Sequence, residues 1–293
     1  MRNRPEDARS AQVARQQAVT QPFPNWLCEE IALAGRQVMI AAHQAYKLHA
    51  VRIDLPVLIV PLAGVKRLEF GALKSEIGPG QFLMVHQAAC LQVENLPSSE
   101  TAYHAWVIAF PWRVVDLARM LLGAHVLQAE RRGITPFTVG AIAPVLPALR
   151  QLLTLLTSSD MPDDALLDHA LLGVLLALAR HNHEHFLRAC DPSLSARIRL
   201  LVAAAPEREW SSADFEEHLH VSGATLRRRL AEEKTSLRIL LREARLHHGL
   251  GLLQTTRKPL KSVAQACGYR SVASFTRNFA AHFGIAPSAV AHS

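Results

Sequence analysis

Near the carboxyl end, two stretches repeat one pattern that few folds satisfy. Ser211–Leu230 reads SSADFEEHLHVSGATLRRRL, and Leu260–Ser288 reads LKSVAQACGYRSVASFTRNFAAHFGIAPS. Each holds a short apolar-faced segment, a turn, a serine fit to cap a helix, and a second segment with aromatic or leucine residues four apart. In the first, Ser211 and Asp214 have the spacing of a capping box, Phe215 and Leu219 face inward, and His220-Val221 makes the turn before Ser222. In the second, Val263, Ala264 and Cys267 face inward, Gly268 permits the turn and Ser271 caps the next helix. Stepping 100° per residue from Leu226 puts the buried direction between Leu226 and Leu230. Arg228 then lies about 200° round, flanked by Ala224 and Arg227. From Phe275 and Phe279 the same step sends Arg277 and Ala273 outward, with Ser274 beside them.

Arginine can grip guanine O6 and N7 with two hydrogen bonds, and a small neighbour lets a helix sink into the major groove. Arg227, Arg228 and Arg229 alone would more often be a solvated face; the matched second unit argues against that. Arg270 and Ser271, at the start of the second helix, are candidates for phosphate, and Ser222 holds the corresponding place in the first. Ser222 and Ser271 are 49 positions apart, joined by Ser236–Thr255, which reads as one long helix. Such a rod could hold two recognition helices about one DNA turn apart, ~34 Å, in successive major grooves. The charge agrees. Of 32 Lys and Arg and 25 Asp and Glu, fifteen and eight fall in Leu194–Ser293, so the whole net charge of +7 sits there and the preceding residues balance at zero. A basic domain beside a neutral one points to a polyanion partner.

Val263-Ala264, Gly268-Tyr269, Ser271, Ser274-Phe275, Arg277, Phe279, Phe283-Gly284 and Pro287-Ser288 closely resemble the signature of AraC/XylS-type transcriptional regulators. Ser222, Thr225-Leu226-Arg227-Arg228, Leu230, Thr235-Ser236-Leu237, Arg245 and Leu252-Leu253 fit the same family, and the branch it is similar to contains acid-response, urease and virulence activators. The resemblance covers about Leu194–Ala289. It implies base contacts at Ala224, Arg227 and Arg228 in the first unit and at Val272, Ala273, Ser274 and Arg277 in the second; Val272 rests on the resemblance alone. It further implies double-stranded promoter DNA and RNA polymerase as partners, a cupin-like β domain in front that binds a small effector, and dimerising helices. Two departures stand out: Glu216 replaces a small alanine of the first unit, and the chain ends AVAHS without the usual aromatic-arginine pair after Pro287.

Upstream, Gln37–Phe110 reads as short apolar runs broken every ~8–12 residues at Ala63-Gly64, Gly78-Pro79-Gly80 and Pro97-Ser98-Ser99, the texture of a sandwich or small barrel. After Pro111, Trp112–Leu122, Val145–Leu156 and Asp163–His181 read as helices, with Ser158–Pro162 as a turn. The leucine-rich faces of the last two suit core packing against the β half or pairing with a second copy. The fold class expected is α+β: 1–24 a tail, 25–125 a cupin-like β-barrel, 126–190 a helical dimerisation region, and 194–293 an all-α double helix-turn-helix domain, with Asp191-Pro192-Ser193 as linker.

Gly80, His86 and Asn95 resemble the second cupin motif, yet Leu91 stands where a cupin enzyme has a histidine, and an early HxH-glutamate cluster is missing. Cupin metals need three or four converging His or carboxylate ligands, so neither a metal nor another cofactor is expected and a cupin enzyme tethered to DNA is the weaker alternative. A nucleoid-type binder of low specificity is another. His181–His185 offers HxHxH, read as a helix-end polar patch before a zinc site; His86 and His104 read as packed or surface residues. Cys28, Cys90, Cys190 and Cys267 are scattered without a CxxC pair, which fits a reducing cytoplasm; Cys267 reads as buried and inert, and Cys90 as lying next to the barrel interior. No catalytic constellation stands out. Ala165–Ala179 is interrupted by Asp168 and His169 and is too short to span a membrane. The sequence therefore reads as a cytoplasmic, dimeric, effector-controlled DNA-binding activator, with no effector residue singled out.

Overall fold

In this computed structural model, residues 39–123, 135–157, 163–188 and 193–291 are described. The expected tail at 1–24, Cys28, Cys190, the turn at Ser158–Pro162 and the linker residues Asp191-Pro192 lie outside them. Strands β1 (Met39–Ala42), β2 (Tyr46–Ile53), β3 (Val57–Ala63), β4 (Val65–Phe70), β5 (Leu73–Ile77), β6 (Gln81–Val85), β7 (Ala89–Leu96), β8 (Tyr103–Ala109) and β9 (Phe137–Ala141) form two antiparallel sheets. The orders are β1-β8-β3-β6-β9 and β2-β7-β4-β5. Ile59, Leu83, Val85 and Ala105 of the larger sheet meet Leu48, Leu68, Leu91 and Val93 of the smaller. The sheets face each other as a sandwich and do not close into the expected barrel. The β1 edge of the larger sheet is covered instead by a helix of the C-terminal domain, which removes an exposed row of backbone groups without closure.

The other face of the larger sheet explains its composition. Leu58, Val60, Phe82, Met84, Trp106 and Ile108 pack under three helices, α1 (Trp112–Leu122), α2 (Leu146–Thr157) and α3 (Asp164–Arg180). With both faces covered, β3 and β6 are apolar almost throughout. Leu149, Leu152 and Leu153 of α2 and Leu171, Val174, Leu175 and Leu178 of α3 are buried here, so ordinary core packing consumes those leucine faces. β9 falls within the stretch 126–190 expected to be helical. Its run FTVGA is too short for periodicity to reveal, and it becomes a strand by pairing with β6 from Phe137–Val85 to Ala141–Gln81.

The last hundred residues are helical: α4 (Leu194–Ala204), α5 (Ser212–Leu219), α6 (Gly223–Glu232), α7 (Leu237–Thr255), α8 (Leu260–Ala266) and α9 (Val272–Phe283). They do not hang free of the sandwich. Leu246, Leu250 and Leu253 of α7 and Phe275, Phe279 and Phe283 of α9 belong to the same apolar cluster as the sandwich interior. Polar ties reinforce the junction. Arg199 on α4 is 6% exposed and grips Asp54 with two hydrogen bonds of 2.6 and 2.7 Å. The Arg52 backbone N–H donates to His247 Nε2 at 2.9 Å. A buried chain runs from Lys66 through Asn95 and Tyr46 to Gln254 on α7: Lys66 Nζ donates to Asn95 Oδ1 (2.7 Å), while Asn95 Nδ2 and Gln254 Nε2 both donate to the Tyr46 hydroxyl (2.8 and 2.9 Å).

His247 is a pH-dependent member of this junction. Its Nδ1 lies 2.8 Å from the Glu243 carbonyl and Nε2 accepts from Arg52, so the neutral ring fits and a second proton would set two donors face to face. Burial, above all, pushes its pKa down from 6.5 to about 4. The unfolded chain therefore binds the extra proton first, and the stabilisation is full above about pH 6.5 and is lost as pH falls towards about 4. Denaturant midpoints measured across that window should fall less steeply for His247→Gln than for the parent; identical slopes would mean the ring is not held neutral by the junction.

Candidate nucleic-acid interface

Each of the two units is built by local rules. Ser211 accepts from the Asp214 N–H while Asp214 reaches back to the Ser211 N–H, closing the capping box that starts α5. His220 takes the left-handed conformation at the turn, with φ 53°. Ser222 then caps α6 through the Thr225 N–H, and Phe215, Leu219, Leu226 and Leu230 close the first unit's core with Leu240 and Ala244 of α7. Glu216 is half-buried, and a Cβ on Gly223 would lie 2.6 Å from its Oε1. The glycine opening α6 thus makes room for the larger residue that stands in place of alanine. In the second unit Gly268 turns at φ +73°, Ser271 caps α9 through the Ser274 N–H, and Phe275, Phe279 and Phe283 are fully buried with Val263, Ala264 and Cys267. Each of those rings contributes about 1.5–3 kcal/mol by leaving water.

The sequence-based site residues fall as follows. Ala224, Arg227 and Arg228 are exposed on α6, and Ala273 and Arg277 are exposed on α9. Val272 and Ser274 are half-buried, and Val272 packs against the sandwich-side apolar cluster. Ser222 and Ser271 are exposed, and their hydroxyls are engaged as helix caps. Arg270 stands almost wholly in solvent, 3.5 Å from an equally exposed Glu209, a pairing worth little in water. The outward-facing arginine opposite a buried pair is thus present in both units, Arg228 against Leu226/Leu230 and Arg277 against Phe275/Phe279. α7 spans 19 residues between them, about 28 Å at 1.5 Å per residue.

Sequence reasoning treated α7 only as a spacer and missed its outer side. A groove of about 660 Å³ runs between α7 and the start of α9, lined by Arg238, Arg242, Arg245, Arg270, Ser271 and Asn278 among others. The signal was the spacing of Arg238, Arg242 and Arg245, three and four apart on one helical face.

Other sequence candidates resolve simply. His183 packs edge-on to Phe82, and His185 lies 5.4 Å from His86 between ring centroids, beyond the end of α3. Among the described residues no group of three His, Cys, Asp or Glu could hold a metal ion. Leu91 is buried inside the sandwich, and His104 is half-buried. Cys267 is buried, its thiol pushed up to about 12 by desolvation. Cys90 is exposed: on β7 it alternates with the inward Ala89 and Leu91 and so points away from the interior. Among the described residues no helix is long and apolar enough to cross a membrane.

Residues 216–293 match the family described as "Helix-turn-helix domain". The transcriptional regulator GadX of Escherichia coli K12 is 32% identical over 123 residues, 41% of this chain and 43% of its own length. VirF of Shigella flexneri, a virulence regulon transcriptional activator, is 32% identical over 99 residues, 34% of this chain and 38% of its own. The C-terminal third of this chain is an AraC/XylS-type helix-turn-helix domain. The match thus spans about two fifths of these relatives' length. Beyond that AraC-type domain the likeness is one of fold. ToxT of Vibrio cholerae superposes with a TM-score of 0.57 at 16% identity, over 86% of this chain and 94% of its own. A second ToxT structure, with unsaturated fatty acid bound, gives 0.53 at 15% identity over 86% and 91%. The β sandwich, helical layer and AraC-type domain thus form one known α+β arrangement.

In the AraC-type domain the second unit closes on Gly249 of α7, where a Cβ would meet the Phe275 ring at 2.8 Å and Cys267 Sγ at 3.0 Å. Gly249→Ala should overpack this contact and cost about 1–3 kcal/mol, read by urea unfolding. An unchanged midpoint would show that α9 is free to slide on α7.

Proposed function

We propose that the protein is a sequence-specific DNA-binding transcriptional regulator, an activator, working as a cytoplasmic homodimer on promoter DNA in contact with RNA polymerase. The observation that carries this is the pair of matched units, each with an exposed arginine opposite its buried face, on the basic third of the chain. GadX and VirF, whose names describe transcriptional regulators, support it through the domain they share with this chain. Ala224, Arg227 and Arg228 in α6 and Val272, Ala273, Ser274 and Arg277 in α9 are the proposed base-contacting set, with Ser222, Arg270 and Ser271 on phosphates. The first domain bounds 25–125 and 126–190 serve as sensory and dimerising units in this reading. Met120 and Leu121, which remain 71% and 64% exposed on α1, and Leu166 on α3 add apolar surface suited to pairing. The reading includes no catalytic role.

The test is selection of bound duplexes from a random pool, followed by binding measurements at fixed salt. Arg228→Ala and Arg277→Ala should each cost about 1–3 kcal/mol on the selected site and much less on random DNA. Equal losses on both would assign these side chains to phosphate and sink the specific reading; equal affinity of the parent for selected and random duplexes would favour a nucleoid-type binder.

The β sandwich is proposed to hold a small anionic effector, as the fatty-acid-bound ToxT structure suggests for a shared fold. The specific observation in this chain is Lys66. It is 3% exposed on β4, hydrogen-bonded to neutral Asn95, with its ammonium 5.4 Å from the centre of the Tyr103 ring, and burial pushes its pKa down to about 7. A buried ammonium paired only with neutral groups gains from a carboxylate. A long-chain unsaturated fatty acid should raise the thermal midpoint of the parent and leave Lys66→Met unmoved. An equal rise in both would remove Lys66 from effector recognition.

A further inference from the structure

We infer that the outer side of α7 is itself a DNA-contacting surface, on which Arg238 and Arg242 hold backbone phosphates of the duplex segment lying between the two recognition helices. This rests on the reading of α6 and α9 as recognition helices and extends it to a third element. The groove between α7 and the start of α9 has four arginines in its walls and no carboxylate. Two of the four are otherwise engaged. Arg245 donates to the Pro206 and Arg208 carbonyls at 2.8 and 3.0 Å, which fixes the turn before α5. Arg270 is already placed on phosphate in the reading above, its solvent-exposed pairing with Glu209 being worth little. Arg238 and Arg242 are exposed, one turn apart on one face of α7, and no ion pair engages either among the described residues.

Electrostatics and shape agree on what fills such a groove. Its far wall is the amino end of α9, twelve residues long and started by Ser271, whose first N–H groups point out of the helix and add to the positive field. Ser271 and Ser274, from that same helix start, line the groove together with Asn278. The groove is therefore continuous with the surface proposed to meet DNA. Two helices seated in successive major grooves leave a minor groove between them, and the phosphate strands flanking it come nearest to whatever joins the two units. Here that element is α7, and its charge is arginine, which pairs with phosphate through two parallel N–H donors. Residues on this helix carry no base readout in such a pose; they fix the path of the duplex and so the spacing of the two half-sites.

The experiment measures the salt dependence of duplex binding for the full chain, on the selected site and on random DNA, with Arg238→Gln, Arg242→Gln and the double variant. Each lost phosphate contact should flatten the slope of log affinity against log salt by about 0.9. The double variant should therefore be flatter by nearly two per bound protomer and weaken by the same factor on both duplexes. Arg238→Lys with Arg242→Lys, which keeps the charges, should restore most of the slope, and all variants should melt with the parent because both side chains are exposed. Phosphate ethylation between the half-sites should interfere with the parent and not with the double variant. If the parent binds with its normal slope and the Gln variants match it, α7 faces away from the duplex and this inference falls while the regulator reading stands. Loss confined to the selected site would mean base reading by α7 and would overturn it too. So would a millimolar phosphate-dependent rise in the parent's melting point, lost in the double variant while the DNA slopes coincide, which would make the groove a seat for free anions. A parent that shows no salt-dependent duplex binding would take down both readings.

Discussion

The packing of α7 is the constraint on which the rest of the structure depends. One end closes the first unit through Leu240 and Ala244; the other closes the second through Leu246, Leu250 and Leu253, with Gly249 admitting the Phe275 ring. The same helix lies along β1 of the sandwich. A single rigid element therefore sets the separation of α6 from α9 and also their relation to the β half. Helices have few ways to pack once small and large residues interlock, so Gly249 against Phe275 specifies a position as well as burying area.

Polar groups at the junction turn that packing into a specific fit. Arg199 with Asp54, His247 with the Arg52 backbone, and Gln254 with Tyr46 each pair a group of the C-terminal domain with one from the β half. Buried polar groups are costly unless satisfied, so these contacts define one arrangement of the two halves rather than a family of them. The Lys66–Asn95–Tyr46–Gln254 chain carries this logic from the sandwich interior to α7. These hydrogen bonds make one contiguous link between a buried side chain of the β domain and the helix that joins the two units.

Much of the candidate site was legible because its signals are local. Serine caps, the left-handed turn residues and inward apolar pairs are dictated by neighbours within a few positions, so Ser211, Ser222, Ser271, His220 and Gly268 take the roles their spacing implies. Outward Arg228 and Arg277 follow once the inner faces are known. Glu216 illustrates the limit: the sequence shows it only as a departure from the AraC/XylS pattern, and the contact with Gly223 shows how it is accommodated. The arginines of α7 were visible as residues, but a charged face on a long helix acquires meaning only when another helix start is placed opposite it.

The sequence by itself determined the α+β division, the serine-capped helix starts of the two units and the apolar texture of the β half, because hydrogen-bond capping and apolar periodicity act over a few residues. It pointed instead to a closed barrel, to helix across Phe137–Ala141 and to Cys90 beside the interior, each of which the structure corrects, and it left open whether the leucine faces of α2 and α3 cover a sheet or a second copy. Those depend on pairing between residues far apart in the chain, where the choice is made by which buried surfaces fit and which backbone edges find a cover. Only the tertiary structure brings α7, β1 and α9 together, and that meeting decides how the β half is tied to the two units.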